Sequence, residues 1–179
     1  FNAARFMMVS NPHTLGHSRR LGLTNGIYMP YPMDTSRYKP GIGRAREEWV
    51  AKYGKGVYIL TTARVDANVK GHSDEFIATL IDVAKNRTDA KFVFLSWGDS
   101  ALKLQQLIAA EGMQDQFIVL PTVGKKRLID YYRSCDLVLD QFVYGYYGAT
   151  ALEAAAVGKP VIMKMRDEQY APLYSGDIA

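Results

Sequence analysis

Glu153 stands in Leu152-Glu153-Ala154-Ala155-Ala156, a carboxylate one turn inside a helical run of small apolar residues from Thr150 to Val157. A carboxylate beyond the end of a parallel strand can accept hydrogen bonds from the two neighbouring hydroxyls of a ribose. It is equally a helix former in a first turn, favoured by the helix dipole and facing water. Arg64 and Lys70 follow an apolar strand and are trailed by Gly71. Two cations there can neutralise a diphosphate, Arg by its fork and Lys as a point charge, or they can decorate a solvated loop. Trp97, Gly98 and Asp99 end a second strand, and Asp140 ends a third. Asp140 either caps its loop or faces a ligand, and Trp97 either lines the same edge or roofs the core. Gly148 and Thr150 open the Ala-rich helix, whose backbone N–H groups attract anions. Tyr144, Tyr146 and Tyr147 make an aromatic loop suited to stacking on a sugar or on another domain.

Other chemistries are excluded by what the sequence lacks. No strand is followed by a Walker phosphate loop or a dinucleotide GxGxxG. No GxSxG nucleophile elbow and no HExxH is present. His13, His17 and His72 form no metal pattern, although the first two lie one helical turn apart, so no metal and no cofactor are expected. One cysteine, Cys135, rules out an internal disulfide framework and fits a reducing, cytoplasmic compartment. The net charge of +4 is too mild, and its Lys and Arg too scattered, to demand a nucleic-acid partner. It suits an anionic ligand or an anionic membrane surface equally well. No run is long and apolar enough for a signal or a membrane span.

The candidate residues need a scaffold, and hydrophobic periodicity supplies one. The stretch Cys135 to Met163 reads as strand (136–139), glycine loop with Gly145 and Gly148, helix (150–157), Gly158-Pro160 turn, and strand (161–163). Upstream, strands are expected at 57–62, 91–97 and 117–120, with helices at 74–86, 101–110 and 125–133. Ser73 is a suitable N-cap for the first of these helices, and Phe76, Leu80, Ile81 and Ala84 form its apolar stripe. The period of about 30 residues is that of βαβ units. The fold class is therefore α/β: a Rossmann-like parallel sheet flanked by helices, with ligands beyond the carboxyl ends of its strands. Before it come a strand at 6–9, a short helix or irregular loop at 13–20, a brief extended segment at 27–31, a turn-rich segment at 33–40, and a helix at 41–53 whose Ala45, Trp49 and Tyr53 share a face. At 179 residues the chain holds one substantial core and barely two small ones. It begins at Phe1 and stops soon after a buried-looking strand, as a piece of a longer protein would.

Separated segments then converge. Arg64 with Lys70-Gly71, Phe94-Leu95-Ser96-Trp97-Gly98-Asp99, Phe117-Ile118-Val119-Leu120, and Tyr147-Gly148 through Leu152-Glu153-Ala154 to Gly158-Lys159-Pro160-Val161-Ile162 resemble the retaining GT-B glycosyltransferases of the "glycosyl transferases group 1" (family 4) type. The likeness runs through about residues 27–163. Met33-Asp34-Thr35-Ser36-Arg37-Tyr38-Lys39-Pro40 resembles that family's linker into the nucleotide-binding domain, with Met33 for its glycine and Tyr38 for its phenylalanine. Each motif is weak alone, and their order and spacing carry the likeness.

The resemblance implies a two-domain GT-B architecture: residues 1–40 as the end of the N-terminal domain and the interdomain linker, and 41–179 as the nucleotide-sugar-binding domain, incomplete at its C-terminus. It implies polysaccharide-type chemistry, a sugar moved with retention from a UDP- or GDP-sugar to a saccharide or lipid-linked acceptor, with domain closure to exclude water. Peripheral contact with the cytoplasmic face of a membrane, through the full-length protein, stays open. Arg64 and Lys70 match the family's diphosphate-binding pair, and Glu153 matches the ribose-holding second glutamate of its E-x7-E motif. The backbone around Phe117, Val119 and Pro121 matches the segment lining the base pocket. Gly145 stands where the family usually has the first glutamate, which touches the donor sugar. Asp140 or Gln141 could compensate, and some relatives with a similar loop also lack it. Two rivals remain: a sugar-nucleotide epimerase of GT-B architecture, and a non-catalytic nucleotide-binding or regulatory module.

Overall fold

A computed structural model describes residues 3–66 and 74–171. By its contacts the chain forms two compact units, one of residues 1–32 and 165–179, the other of residues 33–164. The first holds strand β1 (Met7–Val9), helix α1 (Pro12–Arg20) and strand β2 (Gly26–Tyr28), with β1 and β2 paired in parallel. Helix α1 starts where its sequence allows. Asn11 accepts the Thr14 N–H at 2.8 Å as N-cap, and Pro12 fills a first-turn position that needs no donor. The expectation of a helix or a loop from residue 13 thus resolves to a helix.

The second unit carries the site. Its elements are α2 (Ala45–Tyr53), β3 (Val57–Thr61), α3 (Asp74–Asn86), β4 (Ala90–Leu95), α4 (Ala101–Ala110), β5 (Phe117–Leu120), α5 (Lys125–Ser134), β6 (Leu137–Leu139), α6 (Ala149–Ala156) and β7 (Val161–Ile162). All five strands are parallel, in the order β5-β4-β3-β6-β7. The chain winds outward from β3 to β5 and then returns to place β6 on the other side of β3. The order therefore reverses between β3 and β6, the point where the two neighbouring loops part and leave a crevice.

Each face of the sheet packs its own layer. On one side Trp49 of α2, Tyr131 and Tyr132 of α5, and Ala154 of α6 bury against Tyr58, Leu60, Val93, Ile118 and Val138. On the other, Ile77, Leu80, Ile81 and Ala84 of α3 join Leu104 and Ile108 of α4 against Phe92, Phe94, Phe117 and Leu139. In the stripe of α3, Ile77 is buried and Phe76 packs from the margin against the Phe142 ring. With helices on both faces the strands are mostly apolar and β4 is buried from Ala90 to Leu95, where the one charged residue, Lys91, donates through Nζ to the Asp115 carbonyl at 2.8 Å.

The segment 33–40 packs on this second unit. Asp34 accepts the Ser36 and Arg37 N–H groups with Oδ1 and the Tyr38 N–H with its carbonyl, closing a tight turn. Arg133 of α5 then donates twice to the Lys39 carbonyl, at 3.0 and 2.9 Å. The turn therefore delivers Tyr38 as a buried side chain.

Candidate functional site

The crevice at the carboxyl edge holds a cleft of about 390 Å³. Thr62 and Arg64 beyond β3, Trp97 beyond β4, Thr122 and Val123 beyond β5, Asp140 beyond β6, and Gly148, Thr150 and Glu153 at the start of α6 all line it. Four strand ends and one helix N-terminus thus converge on a single space.

Glu153 settles between its two sequence readings. It does not face water: it is 6% exposed. An isolated buried carboxylate would be costly, and this one is compensated by three donors. Tyr38 Oη donates to Oε1 at 2.9 Å, Lys125 Nζ donates to the same oxygen at 2.5 Å, and Tyr132 Oη donates to Oε2 at 2.9 Å. The electrostatics fix these directions. Burial, with the Glu153 charge adding to it, pushes the Tyr132 hydroxyl far above the ordinary phenol range. Burial and the same carboxylate raise Tyr38, and the hydrogen bond to Glu153 raises the Lys125 ammonium. All three stay protonated at neutral pH, so Glu153 is the acceptor throughout. The network continues through Tyr132 to Thr62 Oγ1 at 2.8 Å and on to Thr150 Oγ1 at 2.9 Å.

Arg64 lies half-buried on the cleft wall. Its Nε is buried and, among the described residues, has no hydrogen-bond partner. A charged donor in that condition is costly unless something else accepts from it. Lys70, Gly71 and the Ser73 cap lie outside the described residues. Trp97 is 43% exposed, and its Nε1 donates to the Thr62 carbonyl at 3.1 Å. Gly98 turns there with φ +104°, and a Cβ on it would lie 2.3 Å from the Val65 carbonyl oxygen. Only glycine lets the two loops touch so closely.

Asp140 is buried and accepts the Gly148 N–H at 2.7 Å, so it both lines the cleft and holds the glycine loop. A Cβ on Gly148 would crowd both Asp140 carboxylate oxygens at 3.1 Å. Gln141 is knitted into the loop. Its Oε1 accepts the Val143 and Tyr144 N–H groups, and its Nε2 donates to the Tyr146 carbonyl. Tyr144 and Tyr146 stack on one another, with ring centroids 5.4 Å apart. Gly145 takes φ +76°.

Two sequence-chosen residues lie elsewhere. The Phe117 ring is 3% exposed and stacks on Phe92 and Phe94, and Val119 packs into the same layer under α3 and α4. Strand alternation points both side chains away from the α5 and α6 layer. The cleft wall beyond β5 is made instead by Thr122 and Val123. Sequence reasoning missed Lys125, Tyr132 and Tyr38 as partners of Glu153. Lys125 had one available signal, being the first helical residue after a strand end. The tyrosines had none, since Tyr38 and Glu153 are 115 residues apart. Among the described residues, no group of His, Cys, Asp and Glu could hold a metal, and no helix is long and apolar enough to cross a membrane.

The doubly wound parallel sheet flanked by helices, with Arg64, the α6 N-terminus and Glu153 at its reversal point, is an α/β domain of the GT-B type. The chain belongs to the glycosyl transferases group 1 family, whose model matches residues 45–168. It is 32% identical over 89 residues to an uncharacterised glycosyltransferase of Methanocaldococcus jannaschii, an alignment covering 50% of this chain and 23% of that protein. Among solved structures it resembles the C-terminal domain of the glycosyl transferase group 1 family protein LpcC from Francisella tularensis, at 25% identity and a TM-score of 0.57, over 74% of this chain and 70% of that one. It also shares its fold with Anabaena HepE, solved with UDP and glucose, at 17% identity and a TM-score of 0.72, over 89% of this chain and 44% of that one. The matches thus span less than a quarter of the curated relative and under half of HepE.

Proposed function

We propose that this chain binds the nucleotide-diphosphate-sugar donor of a retaining glycosyltransferase that passes the sugar to a saccharide or lipid-linked acceptor. The observation that carries the reading is the buried Glu153 carboxylate in one cleft with the α6 N-terminus and the Arg64 Nε, which is unpartnered among the described residues. HepE, which shares the fold, was solved with UDP-glucose and with UDP and glucose, which favours a uridine donor as the first to test.

In this reading Glu153 accepts the ribose hydroxyls and Arg64 takes the diphosphate, with Lys70 as its partner cation. The α6 N-terminus has no side-chain cap, so its N–H groups can point at a phosphate oxygen. During transfer the bond from the anomeric carbon to the diphosphate breaks, an acceptor hydroxyl oxygen replaces it on the same face, negative charge grows on the leaving diphosphate, and the acceptor's proton passes to that leaving group. Arg64, Lys70 and the helix amides would stabilise that charge without a metal cofactor. Asp140, holding the Gly148 N–H, shapes the loop beside the sugar where Gly145 brings no carboxylate. Residues 1–32 close the acceptor-side domain, and 33–40 are the linker packed on the donor unit.

The test is calorimetric titration of the chain with UDP and GDP, followed by an assay for donor hydrolysis or transfer with the full-length protein. Binding of one diphosphate, together with a product that keeps the donor's anomeric configuration, supports the reading. An epimerised nucleotide sugar would replace it with the epimerase alternative, and binding without turnover would replace it with the regulatory one.

A further inference from the structure

A carboxylate offers about four acceptor positions, two on each oxygen. At Glu153, Tyr132 occupies one on Oε2, Tyr38 one on Oε1, and Lys125 the second on Oε1. The three donors differ in freedom. Tyr132 is fully buried and Tyr38 is 7% exposed, whereas the Lys125 side chain is 62% exposed. An ammonium on a flexible stem regains its hydration when it leaves, and a ligand's hydroxyls can replace the hydrogen bond it gave the buried carboxylate. The tyrosine rings are packed in the core and cannot leave without opening it. Once Lys125 withdraws, one open position is left on each oxygen. Two neighbouring hydroxyls of a diol fill that pattern, each donating to one oxygen.

We propose that Tyr38 and Tyr132 are positioning residues that hold the Glu153 carboxylate in the plane needed to read an intact 2′,3′-diol, with Lys125 giving way as the ligand enters. The inference rests on the ribose role of Glu153 proposed above. It makes the cleft selective for ribonucleotides over deoxyribonucleotides, and it gives a linker residue a share in donor recognition. Tyr38 is well placed to do this. Its backbone is fixed by the Asp34 turn on one side and by the Arg133 clamp on Lys39 on the other. Its hydroxyl therefore reaches Glu153 from a rigid base. Tyr132 is a less clean handle, because its hydroxyl also meets Thr62.

The experiment is calorimetric titration of wild type, Y38F and E153A with UDP and GDP and with their 2′-deoxy counterparts, alongside thermal unfolding of each. Wild type should prefer the ribonucleotide by about tenfold, the worth of one hydrogen bond to a charged group. In Y38F the preference should fall to about threefold or less, through weaker ribonucleotide binding, with the unfolding temperature nearly unchanged because the ring is kept. If E153A abolishes the preference and Y38F leaves it at the wild-type value, the positioning role is overturned while the ribose reading stands. If E153A leaves the preference intact, or wild type shows none, the ribose reading falls and takes this inference with it. Should Y38F fail to fold, Y132F reads the same preference, and its retention at the wild-type value overturns the proposal.

Discussion

Replacing Gly98 with alanine tests whether the turn after β4 holds the Arg64 side of the cleft in place. Gly98 sits at φ +104°, where an added Cβ would meet the Val65 carbonyl oxygen at 2.3 Å, Arg64 Cγ at 2.6 Å and the Val65 carbonyl carbon at 2.8 Å. Two of those neighbours are backbone, and the backbone is tied: Val65 N–H donates to the Trp97 carbonyl at 2.9 Å and its carbonyl accepts from Ser100 N–H at 3.1 Å. The strained dihedral alone costs about 1–3 kcal/mol. Displacing the tied loop brings the total to about 2–4 kcal/mol, or roughly 6–15 °C in unfolding temperature. Gly112 is the control. It has φ +67° and no atom within 4 Å of its would-be Cβ, so G112A incurs only the dihedral cost of about 1 kcal/mol. Thermal and urea unfolding of both variants, with nucleotide diphosphate titration, isolates the contact. G98A should unfold well below G112A and bind the diphosphate more weakly because Arg64 has moved. Equal stabilities with unchanged binding would refute the reasoning.

Other outcomes follow from the same geometry. R64M should weaken nucleoside diphosphate binding by about 10–100-fold, the worth of a charge-assisted contact, while leaving nucleoside binding nearly unchanged; calorimetry with UDP against uridine reads the difference, and equal losses would remove Arg64 from the phosphates. Trp97 lines the cleft whereas Trp49 is buried in the core, so nucleotide should change the intrinsic tryptophan fluorescence of wild type but not of W97F. Burial pushes the Cys135 thiol up to about 12, above its unfolded value, so native chain should resist thiol reagents at pH 8 that label unfolded chain at once. The sign of the linkage is fixed as well: the folded state holds that proton longer, so this contribution is full below pH 9 and is lost as pH rises toward 12, measurable as a falling urea midpoint.

Much of the scaffold is legible in the sequence because its signals are local. The helix expected at 74–86 is α3 at Asp74–Asn86, and the strand expected at 117–120 is β5, since periodicity and turn residues act within a few positions. The facing of β5 is not legible. All four residues of Phe117-Ile118-Val119-Leu120 are apolar, so nothing in the strand says which pair looks toward the cleft layer. Glu153 is legible as a candidate but not as a buried one, because its burial depends on donors from a turn at residue 38 and a helix at residues 125–132. The Tyr38 hydroxyl gains meaning only once its turn is folded against α6, where it donates to Glu153.

The most direct test of the account is calorimetric titration of the chain with UDP and GDP, repeated with E153A. One diphosphate should bind, and E153A should weaken it by about tenfold or more while the chain stays folded. A folded wild-type chain that binds neither diphosphate, or an E153A variant that binds as tightly as wild type, would contradict it.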